Sequence, residues 1–288
     1  MSSTKLAPAN AQRHTLQDTT DYLKMLYQGE PGSGKTTAAA HMAKLGKVVW
    51  VLAESGLKDG PIRRLGVPTG NIEIHPTISY KALDELYGDL RGTLHADPDA
   101  YTGVVFDSLT ELQGKLLESR INEPRAYTQP EYNVNTQELT MLLRHFCDLT
   151  CHVVFTAHLK REQDSDGEVN YRPATTPGVA NRLLGYVDMT CVTLAEMRPG
   201  SDEPDYTGLF RPNGKLRGKD RFNVTPPKLY NPTFDRIAAY VDGTYRREAQ
   251  READAGTEIP NGLDPEQYEY RMRVAAARAK QTEKENAA

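Results

Sequence analysis

Gly29-Glu-Pro-Gly-Ser-Gly-Lys35-Thr36 is the stretch from which the rest of the chain is best read. It fills every fixed position of G-x-x-x-x-G-K-[ST], with Gly29, Gly34, Lys35 and Thr36 in place and Glu30, Pro31, Gly32 and Ser33 between them. The apolar residues 22–28 lead in as a strand. The alanine-rich stretch 36–44 leads out as a helix. In that setting the glycines let backbone N–H groups close around an anion, and the helix adds its positive end. Residues 29–37, Thr37 included, are expected to cradle phosphate. Lys35 reaches toward the terminal phosphates, and the Thr36 hydroxyl is placed to ligate Mg²⁺.

A phosphate loop needs a metal-organising carboxylate, and the chain offers one. Residues 103–106 (Gly-Val-Val-Phe) form a buried strand pattern that delivers Asp107 to a strand end, beside Ser108. Asp107 is expected to hold Mg²⁺, directly or through water. The place after the metal aspartate, where many such enzymes carry a glutamate, holds Ser108. The expected water-activating base is Glu54, which follows the apolar strand 47–53. Glu111, one turn into the next helix, is its rival. His158 ends a third buried strand, 152–157, and is placed to sense the terminal phosphate.

Strands at 22–28, 47–53, 72–75, 103–106 and 152–157 are separated by helical stretches at 36–44, 80–94, 109–121 and 137–149. That alternation predicts an α/β fold with a mostly parallel sheet flanked by helices. Strand patterns at 186–197, 206–211 and 215–222 predict an antiparallel extension. Residues 1–20 read as a mobile N-terminal arm and 21–243 as one ATPase-type domain. Residues 244–288, charged and mixed in sign, read as a solvated, partly helical tail.

Composition narrows the function classes. The 288-residue chain carries 35 Lys+Arg against 39 Asp+Glu, a net charge of −4. Its mean hydropathy is −0.61. No run approaches the roughly 20 apolar residues of a membrane helix, and no secretory signal is evident, so no membrane partner is expected. Three cysteines, Cys147, Cys151 and Cys191, are too few for a disulfide framework. The spacing of His145, Cys147, Cys151 and His152 matches no zinc pattern. No base-recognition motif is evident.

The net acidity does not advertise nucleic-acid binding, but local segments do. Residues 118–135 hold Arg120, Arg125, Tyr127 and Tyr132. Residues 160–182 hold Lys160, Arg161, Tyr171, Arg172 and Arg182. Read as long loops at the sheet edge, they suit backbone contact and base stacking on single-stranded DNA. Farther on, Lys215, Arg217, Lys219 and Arg221 form a basic cluster. Lys219 and Arg221 are candidates for reaching a neighbouring subunit's γ-phosphate, the alternative being a solvated basic hairpin.

Taken together, Gly29–Thr36, Glu54 after Val-Val-Trp-Val-Leu-Ala, Gly-Val-Val-Phe-Asp107-Ser108, Phe-Thr-Ala-His158 and Gly-Lys219-Asp-Arg221 resemble the RecA-like P-loop ATPases. The likeness is closest to the phage-encoded, core-only branch that acts in single-strand annealing, and it covers roughly residues 22–242. It implies ATP and Mg²⁺ as cofactors, DNA-stimulated ATP hydrolysis, single-stranded DNA as partner and homo-oligomeric rings or filaments. Single-strand-binding or replication proteins are further implied partners, in the cytoplasm of a host cell. His158 stands where bacterial recombinases usually have glutamine, and the flanking domains of full recombinases are missing. Annealing is therefore expected rather than strand exchange. Two other readings stay open: a helicase-like motor or loader, and a nucleotide-gated assembly ATPase that does not bind DNA.

Overall fold

A computed structural model of the chain describes residues 22–76, 78–120, 127–163, 167, 169–198 and 201–286. The expected arm at 1–20 lies outside the described residues.

β1 (Lys24–Gly29) enters the phosphate loop, and α1 (Lys35–Ala40) leaves it, tightening into a 3-10 turn at His41–Lys44. Next come β2 (Val48–Leu52), α2 (Asp59–Arg64), β3 (Ile72–His75), α3 (Tyr80–Ala96), β4 (Gly103–Asp107), α4 (Leu109–Glu118) and α5 (Gln129–Cys147). β5 (His152–Gln163) and β6 (Val169–Pro173) pair antiparallel and are followed by α6 (Pro177–Tyr186), β7 (Met189–Met197) and β8 (Pro204–Leu209). Short strands β9 (Pro212–Asn213), β10 (Leu216–Arg217), β11 (Lys219–Asp220) and β12 (Lys228–Tyr230) precede α7 (Phe234–Val241), α8 (Arg247–Asp254) and α9 (Pro265–Asn286).

The main sheet runs β12-β8-β7-β1-β5-β4-β2-β3. From β7 to β3 every neighbouring pair is parallel. β8 and β12 continue it antiparallel. The fold is therefore an α/β P-loop architecture with an antiparallel extension, the extension starting at β8 because β7 joins β1 parallel.

Each central strand is apolar on both sides because both sides are covered. Along β2, Val49 and Val51 pack with Leu83 and Leu90 of α3, Leu112 of α4 and Leu143 of α5. Val48 and Trp50 face the other layer, with Ala39 of α1, Ile62 of α2 and Ile237 of α7. The buried alanines Ala38, Ala39 and Ala40 give α1 a small-residue face against the sheet. Truncating one of the buried leucines to alanine costs about 2–5 kcal/mol in such layers.

Three expectations change. Residues 129–135, read as part of a loop, are the first turns of α5. Thr128 and Glu131 form a capping box there, and proline occupies the first turn. Residues 160–163, also read as loop, continue β5 past the sheet edge, and 169–173 form β6 beside them, where Lys160 faces Arg172 and Arg161 faces Tyr171. The segment 244–288 is helical over α8 and α9, and its middle is docked rather than solvated. Asp264, 2% exposed, accepts from Arg236 at 2.7 and 2.9 Å and from the Tyr240 hydroxyl at 3.0 Å. Arg236 is buried on α7 and needs a carboxylate, which among the described residues the later segment supplies through Asp264 and Glu266. Gln267 completes the docking by covering the β12 edge: it accepts from the Tyr230 N–H at 2.8 Å and donates to the Lys228 carbonyl at 3.0 Å.

Candidate active site

The parallel strands bring the predicted residues to one edge. Gly29 ends β1 opposite His158 on β5 and Thr193 on β7. Asp107 ends β4 opposite Leu52 of β2, and its carbonyl accepts the N–H groups of Ala53 and Glu54 at 2.8 and 3.0 Å. Glu54 is thereby fixed beside Asp107 although 53 residues of chain separate them. The Asp107–Ser108 peptide bond is cis.

Within the loop, the Ser33 N–H donates to the Glu30 carbonyl at 3.2 Å, and Glu30, Pro31 and Gly32 form an exposed rim. Ser33 is buried and its hydroxyl meets that of Thr193 at 2.7 Å. A Cβ on Gly29 would stand 2.2 Å from the Thr193 hydroxyl oxygen, so only glycine fits there. Gly34 has a φ of 86°, in the left-handed region. Thr37 is half-buried in the first turn of α1.

Lys35 is 7% exposed, and its ammonium donates to the Gly29 and Glu30 carbonyls at 3.0 and 2.9 Å. Burial lowers its pKa, opposed by the negative charges of Glu54, Asp107 and Glu30. It makes no ion pair among the described residues. A buried cation satisfied only by its own loop is a group that an anion relieves. Thr36 donates to the two Asp107 oxygens at 3.2 and 3.0 Å, and Thr156 donates to one of them at 2.5 Å. Burial raises the Asp107 pKa. The Thr156 and Thr36 hydroxyls pull it back, Glu54 pushes it up and Lys35 pulls it down.

The donor set fits Mg²⁺. The Thr36 hydroxyl and the Asp107 carboxylate are hard oxygens lying side by side. Among the described residues no group of three or more His, Cys, Asp or Glu forms a metal cage. A small hard cation with few protein ligands, completed by phosphate and water, is what such a pair accommodates.

Glu54 is held rather than free. Its carboxylate is hydrogen-bonded by the Ser108 hydroxyl, and its Oε1 lies 3.3 Å from His158 Nε2. The His158 N–H donates to the Thr110 hydroxyl at 3.1 Å, tying the middle of β5 to α4. Glu111, the rival base, is exposed, and its backbone N–H is capped by Ser108. Thr156 and Thr193 were not singled out in the sequence, and Ser108 was noted there only for standing where a glutamate is usual. Continuing the β4–β5 register places Thr156 beside Asp107, whereas nothing local marks Thr193.

The basic candidates are largely engaged elsewhere. Arg120 pairs with Glu138 and lies 4.6 Å over the Tyr80 ring. Arg172 makes a two-toothed pair with Glu162, which also binds Lys160 at 3.1 Å. Tyr127 packs edge-on against Tyr132. Arg161 is exposed and Lys160 is 55% exposed at its side chain. Arg125 lies outside the described residues. Lys219 donates to the Leu184 and Val187 carbonyls at 2.8 and 2.6 Å, at the end of α6. Arg221 binds Asp188 at 2.6 Å. β11 pairs with Thr190 and Met189, the start of β7, while the phosphate loop lies at its Thr193 level. Neither Lys219 nor Arg221 meets the phosphate loop of its own chain.

A family model described as an AAA domain matches residues 21–222. No curated protein matches the chain. The matched stretch contains β1 with its loop, Glu54, Asp107 and His158, and it stops just beyond Arg221. With that match over most of its length, the chain belongs to the AAA-domain family of P-loop ATPases.

Proposed function

We propose that the protein hydrolyses ATP with Mg²⁺ and couples the reaction to binding of single-stranded DNA, in the manner of the core-only RecA-like annealing ATPases that its motifs resemble. The observation that carries the reading is the continuity of β5. The strand runs past His158, beside Glu54, directly into the β5–β6 hairpin, where Lys160 and Arg161 are exposed. A change at the terminal phosphate would then reach a polymer-facing surface through one strand.

In the hydrolytic step, backbone N–H groups of residues 29–36 and the Lys35 ammonium bind and orient the phosphates. Thr36 and Asp107 would hold Mg²⁺, which would supply charge neutralisation to the phosphates. Glu54 orients the attacking water and accepts its proton. Ser108 and His158 keep its carboxylate aimed, and the hydrogen bonds from Thr36 and Thr156 hold Asp107 apart from that task. Self-association into rings or filaments belongs to the same reading and rests on the resemblance. Sedimentation that shows only monomer with DNA and a non-hydrolysed ATP analogue counts against it.

The deciding experiment is fluorescence anisotropy of a labelled single-stranded oligonucleotide at two salt concentrations, with and without Mg-ATP. We expect salt-sensitive binding that responds to nucleotide. A Lys160→Ala, Arg161→Ala double variant should reduce the salt slope by about 1.4, from about 0.7 per lost phosphate contact on a single strand. Absence of binding in every condition, with ATP hydrolysis intact, defeats the DNA reading. The net charge of −4 and the internal pairing of Arg120 and Arg172 then favour a nucleotide-gated assembly ATPase. Sustained ATP-driven unwinding points instead to a helicase-like motor.

A further inference from the structure

The strand order across the site fixes a direction. Along the loop-bearing edge come Glu54 after β2, Asp107 on β4, His158 on β5, the phosphate loop after β1, Thr193 on β7 and finally β8. A terminal phosphate belongs where Asp107 and Glu54 stand, because metal and water are needed there. The nucleoside end must therefore extend the other way, past β1 toward β7 and β8.

At that end lies an aromatic ring that the hydrolytic step does not use. Tyr206 of β8 is 38% exposed, while its neighbours Asp205 and Thr207 are buried on the opposite side of the strand. Its ring atoms come to 3.1, 3.6 and 3.7 Å from where a Cβ on Gly34 would be, so the ring lies against the turn into α1. Any side chain at position 34 would both strain the backbone and meet this ring. The residue opposite Tyr206 on β7 is Ala195, exposed and too small to cover it. Two residues on, Gly208 adds no side chain to the same side of the strand.

We propose that Tyr206 is the platform on which the nucleobase of the bound nucleotide stacks. The proposal rests on the phosphate-loop reading and extends it to the base. Stacking on a π-face is worth enough to matter and tolerates every base. Adenine and guanine nucleotides should gain alike from Tyr206, which fits a sequence with no base-recognition motif.

The test is calorimetric titration of the full chain with ADP, GDP and pyrophosphate, each with Mg²⁺. Tyr206→Ala should weaken ADP and GDP by about tenfold each and leave pyrophosphate unchanged. Tyr206→Phe and Tyr206→Trp should restore nucleotide affinity. Unchanged ADP affinity in Tyr206→Ala overturns the platform. So does a loss of pyrophosphate by the same factor, which would make the ring a prop for Gly34 alone. A wild-type protein that binds pyrophosphate as well as ADP sinks the platform and spares the phosphate loop. A wild-type protein that binds neither defeats the phosphate-loop reading and the platform with it.

Discussion

Lys35 and Lys219 are both partly desolvated lysines that donate to two backbone carbonyls, yet their surroundings differ in kind. Lys219 sits on the carbonyls of Leu184 and Val187 at the end of α6, where a helix leaves acceptors without partners. It completes the fold. Lys35 donates to the carbonyls of its own loop, and the carboxylates of Glu54 and Asp107 act on it without forming an ion pair. It leaves a charge imbalance that an anion and a cation together resolve. The same division separates the rest of the molecule. Asp107, Glu54 and His158 converge on one edge, whereas Arg120, Arg172 and Arg221 are matched by Glu138, Glu162 and Asp188. A basic residue in the sequence is a stronger candidate contact the more exposed the fold leaves it, as with Arg161 and with Lys160, which stays 55% exposed at its side chain despite its pair with Glu162.

The strongest way to break this contrast is Lys35→Ala. If this buried cation binds the phosphates as proposed, its removal should lower ATP turnover on the order of 1,000-fold, measured by phosphate release. Near-normal turnover would make Lys35 a loop-bracing residue like Lys219. Glu54→Gln comes next. It keeps the shape but not the base, so kcat should fall by about 100-fold while nucleotide affinity is retained. If Glu111→Gln rather than Glu54→Gln stopped hydrolysis, the base would be reassigned.

A gentler probe uses pH. Burial holds the Asp107 pKa above its ordinary value of 3.8. As pH falls, Asp107 therefore takes up its proton earlier than an exposed aspartate would. Mg²⁺-dependent nucleotide affinity should drop about tenfold per pH unit below that raised pKa. Glu54→Gln, which removes a like charge, should move the drop to lower pH, as followed by Mg²⁺ titration at fixed nucleotide. A profile unmoved by that substitution would mean the two carboxylates do not sense each other. Lys219→Ala gives the smallest effect expected: a loss of about 1–2 kcal/mol in urea unfolding, with turnover per folded molecule unchanged. Lost turnover at unchanged stability would return Lys219 to the role of a cation acting in a neighbouring subunit.

Much of the candidate site was legible because its parts are local and short. A glycine-lysine loop between a strand and a helix is written in eight consecutive residues, and each strand-end carboxylate follows its own apolar run. Helix α7 and the docking of Asp264 were not legible, because a charged stretch with two prolines gives no sign of a buried arginine waiting 28 residues upstream. The hairpin at 160–173 was misread for a related reason. Its strands are held by each other, and neither carries the apolar alternation that marks burial on the core.

By itself, the sequence determined the alternation of strands and helices from β1 to the buried start of β5 and the identity of the phosphate loop, since both depend on periodicity and on contacts within a few residues. It also placed Asp107 at the end of one strand and Glu54 just past another, whereas His158, read as a strand end, lies within β5 where the strand leaves the main sheet. Only the tertiary structure decided that these ends meet, because strand order in the sheet sets which ends are neighbours. It likewise decided which cations are neutralised and that Tyr206 lies against Gly34 from 172 residues away. Those contacts arise from pairings across long stretches of chain, and their energies come from burial and partners that no local window contains.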